Sequence, residues 1–210
     1  MNKTLITLGI SLGLMSAANL RAGVIVTEPT GGNDVPADKS LNSTNGAGYT
    51  ALGDIVLKEG STGDFSAGNG QTFILTIPDG WQFNPAGATV SFLISRDITA
   101  ASVAVTTSNV TVTFSVSGTG KFDQLTISGL QVQPLNGATD PNAGYILNLS
   151  ANPGTATIAG VGPDLTTFGL LNTDPGAPRA LRISSQPSSV AVAGVPFASG
   201  RGMSRIANSS

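Results

Sequence analysis

Carboxylates are the side chains of this sequence best suited to moving a proton. Its 210 residues include no Cys and no His. That removes thiol nucleophiles, imidazole bases, disulfides, the usual zinc sites and every Ser-His-Asp arrangement. Twelve Asp and Glu remain, and a pair of such groups flanking a glycosidic bond is enough to hydrolyse it. The glutamates are Glu28 and Glu59, both in polar or Gly-rich surroundings, and nothing marks an Asp as buried beside either. They read as solvated loop carboxylates, so the chain is not expected to be an enzyme.

Loop oxygens could instead hold calcium. Asn33, Asp34 and Asp38 form one cluster, and Asp140 with Asn142 forms another. Neither has the spacing of an EF-hand or of the glycine-rich calcium repeat. Turns in which Asn and Asp bond their own backbone account for both. No cofactor is expected, calcium being the one candidate these residues raise. Gly68-Asn69-Gly70 lacks the Lys and the strand-to-helix setting of a phosphate loop.

Trp81 is the remaining residue with a ligand-binding chemistry. In Pro78-Asp79-Gly80-Trp81-Gln82-Phe83 a tight turn delivers two aromatics, two positions apart, to one face. A ring so placed either stacks on a sugar as a ligand contact or plugs the space between two sheets. A lone Trp in a chain with few aromatics favours the plug. Tyr49 and Tyr145 are the other candidates for a sugar platform, and they lie far from Trp81 in sequence.

The elements that must position these residues are strands. Val110 to Val116 alternates apolar residues with Thr and Ser without an error, so one face is buried and the other wet. Val103 and Val105 alternate in the same way across the short polar Thr107-Ser108-Asn109, which predicts an antiparallel hairpin. Phe73, Leu75 and Ile77 share a face, as do Val90, Phe92 and Ile94; Tyr145, Leu147 and Leu149 make a further strand, and Ala156 with Ile158 another. Leu125 and Ile127 are followed by Leu130 and Val132 in the opposite phase, which predicts a β-bulge at Ser128-Gly129. Helical spacing is short and interrupted throughout, and without helical crossovers the sheets should be mainly antiparallel. The expected fold is an all-β, two-sheet sandwich of about eight or nine strands, immunoglobulin-like or cohesin-like.

The rest of the chain divides by composition. Met1-Asn2-Lys3, an apolar stretch from Thr4 to Ala18 and small residues through Ala22-Gly23 match a secretory signal peptide over 1–22, shorter than a membrane span needs. A short strand and a polar loop fill 23–51, the sandwich 52–172 and a breaker-rich linker 173–179. Residues 180–198 hold a fresh strand start, and 199–210 a small, basic, polar tail. Only 10% of residues are charged, against about 25% in an average soluble domain, and the net charge is -2. Scattered Lys and Arg exclude the clustered footprint that nucleic acid requires. After loss of the leader no membrane span is expected, and the product is placed outside the cell or on its surface.

The run Leu181 to Ser189 and Ala193 to Ala198 resembles the opening of an immunoglobulin-like repeat from large secreted bacterial surface proteins with tandem β modules. Ile77 to Phe83, Leu125 to Val132 and Asn152 to Gly160 resemble the module that precedes such a repeat. The resemblance implies an extracellular, multidomain, non-catalytic protein with structural or adhesive roles. Its partners would be neighbouring β modules or surface ligands, glycans among them. A complete repeat would continue beyond Ala198, so either the gene ends oddly or the chain is a fragment of something longer. The alternative reading is a carbohydrate-binding or cohesin-like module.

Overall fold

A computed structural model of the chain describes residues 23–44, 46–137 and 143–175. The expected signal peptide, the second repeat and tail at 180–210, and Asp140 with Asn142 lie outside the described residues. Those described are all-β apart from one 3-10 turn at Ala37–Lys39, and no helix among them is long and apolar enough to cross a membrane.

Two layers face each other in a sandwich-like arrangement. One is the sheet β1 (Ile25–Thr27), β4 (Ile55–Lys58), β10 (Gln124–Ser128) and β7 (Thr89–Phe92), hydrogen-bonded in that order. A shorter sheet runs on from it in the order β3 (Thr50–Ala51), β11 (Gln131–Pro134), β6 (Trp81–Phe83). The other layer has five strands in the order β13 (Thr167–Leu171), β12 (Gly144–Leu147), β5 (Gly68–Thr76), β9 (Asn109–Val116), β8 (Ile98–Val105). All pairs within these sheets are antiparallel. A small parallel pair joins β2 (Val35–Pro36) to β14 (Thr173–Asp174).

The alternation read in the sequence explains the core. Val110, Val112, Phe114 and Val116 are at most 2% exposed and meet Phe73, Leu75, Leu125 and Ile127 from neighbouring and facing strands. Phe65 packs edge-on against Phe114 and Phe73 against Phe168, with ring centres 5.7 and 5.3 Å apart. The phase change between β10 and β11 occurs where Gly129 takes φ +74°, a conformation that favours glycine, and an added Cβ there would lie 2.6 Å from the Gly87 carbonyl oxygen.

Several local expectations change. On β12 the inward residues are Ile146 and, just past the strand, Asn148; Tyr145 is exposed, and neither Leu147 nor Leu149 is buried. The inversion follows from Asn148, whose amide donates to the Ile74 and Pro153 carbonyls and so fills an inward position with a polar group. Ile94 does not share the face of Val90 and Phe92, because β7 ends at Phe92 and Ile94 stands 86% exposed in the following loop. Ala156 and Ile158 form no strand, and this stretch touches β5 and its approach through single bridges, Phe65 to Ile158 and Phe73 to Gly154. The folded unit is also wider than 52–172: β1 pairs β4, and Thr173–Asp174, expected in the linker, pairs with β2.

Candidate functional site

Four carboxylates converge at one end of the layers, and the strand ends bring them there. Glu59 follows β4, Asp64 lies in the β4–β5 loop, Asp97 immediately precedes β8 and Asp123 immediately precedes β10. All four are 9% exposed or less. This corrects the reading of Glu59 as a solvated loop group: it is 3% exposed, with buried aspartates in the surrounding loops.

Backbone N–H groups are what make that burial tolerable. Glu59 Oε1 accepts from the Phe65 N–H and Oε2 from the Asp123 N–H, both at 2.8 Å. Asp123 Oδ1 accepts from the N–H groups of Asp97 and Ile98 at 3.0 Å each. Asp97 Oδ2 accepts from Gly120 at 2.6 Å and Lys121 at 2.8 Å. Asp64 Oδ2 accepts from Gly60 at 3.0 Å and Ser61 at 2.8 Å, while its Oδ1 is buried without a hydrogen-bond partner. Each carboxylate thus bridges two backbone donors, and these charge-assisted bonds offset part of the cost of burying it.

The electrostatics follow from the packing. Burial pushes the Asp123 carboxyl above the ordinary 3.8, opposed by the N–H groups of Ile98 and Asp97; the Asp97 charge adds to the rise and the Arg96 charge opposes it. These groups lie beneath the loops whose backbone they hold, and the arrangement acts as a brace.

Above the brace the loops present side chains of another kind. Leu93, Ile94 and Phe122 are 42%, 86% and 49% exposed. Phe92 pairs with Leu125 at the end of the ladder, so the 93–95 and 121–124 stretches leave β7 and β10 at the same end. The Lys121 ammonium donates to the Ser95 carbonyl at 3.1 Å, closing the two loops on each other. Ser95 takes φ +63°, a left-handed conformation that the surrounding bonds must sustain. With Arg96 and Lys121 both exposed, the tip presents three apolar side chains and two cations.

The other predicted residues lie elsewhere. Trp81 is 4% exposed and takes the core position, beside Phe83 at 0%. Its ring therefore offers no sugar platform, whereas Tyr145 is exposed. Tyr49 belongs to a polar row on β6 and β11. There the Gln82 amide donates to the Tyr49 hydroxyl at 3.3 Å and to the Gln133 side-chain oxygen at 2.9 Å, and the Asn84 amide donates to that of Gln131 at 2.7 Å. Asp34 and Asp38 line an open depression with Lys39 and Asp174. Among the described residues no group of three or more Asp, Glu, His or Cys is placed to hold a metal ion.

Sequence reasoning missed the brace and the tip. The available signal was the charge pattern: Asp97 and Asp123 each stand directly before a strand, where a carboxylate can collect the N–H groups of a chain reversal. Comparison of the chain with protein families, with curated proteins and with solved structures finds no match.

Proposed function

We propose that this chain is a non-catalytic structural or adhesion module of an exported bacterial surface protein, in contact with neighbouring β modules or with a surface ligand. The observation that carries the reading is the braced tip. Four buried carboxylates fix the loops of one end, and the fixed loops hold Leu93, Ile94 and Phe122 in solvent, with Arg96 and Lys121 exposed in the same loops. Loops positioned by a rigid scaffold are where binding residues concentrate, and an exposed apolar group held in place is suited to docking. The N-terminal leader pattern and the repeat-like stretch at 180–198 support export and a modular setting.

The test is to express the tagged full chain in a bacterial host, fractionate the cells, and measure adhesion of chain-coated beads to envelope preparations. Recovery outside the cytoplasm with the leader removed is expected, together with adhesion that an Ile94→Ser/Phe122→Ser double variant loses. Cytoplasmic recovery of the intact chain, or adhesion indifferent to the double variant, would sink the reading.

A second reading, carbohydrate binding, is favoured by the row of Tyr49, Gln82, Asn84 and Gln131. Amides beside a phenol can meet sugar hydroxyls through hydrogen bonds in both directions. Under this reading a glycan array gives binding that Gln82→Ala abolishes and Ile94→Ser leaves intact.

A further inference from the structure

The outer strand of the five-stranded layer is β8, and its hydrogen-bonding pattern shows which of its groups are unused. The hairpin to β9 closes with the Thr106 N–H donating to the Asn109 carbonyl at 2.8 Å. Antiparallel pairs alternate, so Ala104 and Ser102 exchange bonds with Thr111 and Thr113. The N–H and C=O groups of Ala101, Val103 and Val105 therefore point away from β9. Among the described residues no strand pairs with that side.

Natural sheets protect such an edge with lysine, proline, a bulge or a cover. No charged residue and no proline occurs from Ile98 to Gly120. The one register irregularity lies between Ile98 and Ala100, so Ala101 to Val105 runs regular. The inward side chains there are also incompletely covered: Ala101, Val103 and Val105 are half-buried, as are Val90 and Phe92 of β7, the edge strand of the facing layer.

We propose that β8 pairs with β8 of a second copy of this chain, antiparallel and centred on Val103. The two five-stranded layers then become one continuous sheet. An extended backbone is what satisfies a row of free N–H and C=O groups, and the residues of β8 favour its own copy. In a twofold pairing a charge on the strand would be brought close to its own copy across the axis, and β8 has none. Centring on Val103 sets Val103 against its copy and Ala101 against Val105 of the second copy, so inward apolar groups meet inward apolar groups. The outward residues Ala100, Ser102 and Ala104 are small and leave the approach clear. About six new backbone hydrogen bonds form, two for each narrow pair.

The inference is independent of the surface function and is tested on the full chain by analytical ultracentrifugation with hydrogen exchange, from about 1 to 200 µM. Dimer formation is expected, with the amides of Ala101, Val103 and Val105 protected at high concentration and released on dilution. Val103→Pro removes an N–H that points away from β9, so it should weaken association by about tenfold or more while leaving the circular dichroism spectrum unchanged. Ala104→Pro, which removes a donor used within the hairpin, should instead disturb the fold. A chain monomeric at the highest concentration overturns the proposal, and so does a dimer that Val103→Pro leaves intact. Edge amides protected at every concentration in a monomer would show that the chain covers its own edge, and would overturn it equally. If Val103→Pro does not fold, the concentration dependence of exchange in the unaltered chain decides.

Discussion

The two long sides of the layered unit contain the same kinds of residue and finish differently. On the side of β1 and β13, the stretch 153–161 bridges the layers: the Val24 N–H donates to the Ala159 carbonyl, the Ala159 N–H to the Asp64 carbonyl, and Ile158 meets Phe65. Residues 32–35 add a second strap through Asn172 N–H to Gly32 and Val35 N–H to Asn172. Behind these straps Val35, Phe65, Ile146, Phe168 and Leu171 are wholly buried. On the side of β7 and β8 no described segment plays that part, and Val90, Phe92, Val103 and Val105 stop half-buried. The apolar pattern of a strand thus decides which way its residues face, whereas the degree of burial depends on what the chain lays across the seam afterwards.

The largest test of the contrast is aromatic truncation. Phe168→Ala on the closed side should lower stability by about 3–5 kcal/mol, as expected for a buried ring that leaves a cavity. Phe92→Ala on the open side should lower it by less than half as much; equal shifts in urea midpoint would erase the distinction. Next is the strap itself. Gly160 takes φ +80°, and a Cβ there would lie 2.7 Å from the Gly23 Cα. Gly160→Ala should therefore be destabilising by about 1–3 kcal/mol in thermal melts, more than Gly70→Ala, where φ is +58° and nothing lies within 4 Å. Smaller still, Val103→Ala at the open edge should remove no more than about 1 kcal/mol in dilute solution, where the edge is unpaired. A larger loss at low concentration would mean that the seam is covered.

Acid should separate the two sides by sign. Asp123 holds the start of β8, and burial raises its pKa above 3.8. The folded chain takes up that proton before the unfolded chain does, so its unfavourable contribution is relieved as pH falls through the raised value towards 3.8. Asp164 accepts from the Ser150 N–H beside the closed side and is exposed; the hydrogen bonds from Ser150 hold it below 3.8. Its contribution is present above 3.8 and is lost as pH falls through the lowered value. In acid titrations of stability, Asp123→Asn should remove a gain on acidification and Asp164→Asn a loss. Shifts of the same sign in both variants would contradict this division.

Much of this architecture was legible in the residues. The alternation of Val110 to Val116, the hairpin at Thr107-Ser108 and the phase change at Gly129 each depend on near neighbours in sequence, which is what a local pattern encodes; the expected bulge there is instead a break between β10 and β11. Two of the misread positions, Glu59 and Asn148, share a different cause. Glu59 is buried because the N–H of Asp123, 64 positions away, comes to meet it. Asn148 turns inward because the Ile74 carbonyl, 74 positions away, accepts from it. A polar residue whose partner arrives from a distant strand looks, in sequence, like a loop residue. Trp81 could be weighed from composition alone because an aromatic plug needs only space, and space between two sheets is implied by the strands.

The brace also sets how the tip would respond to being pulled. Asp97 stands three residues beyond Ile94, and its N–H hangs on the Asp123 side chain; the Asp123 N–H hangs in turn on Glu59, at the end of an inner strand of its layer. Tension applied at Ile94 passes along the backbone into β7 at Phe92 and towards β8 at Ile98, where the bonds of Asp97 and Ile98 to Asp123, and of Asp123 to Glu59, carry part of it into β4. Under load this end of the protein would therefore be held by both layers at once, through the covalent route into β7 and β8 and the hydrogen-bonded route into β4.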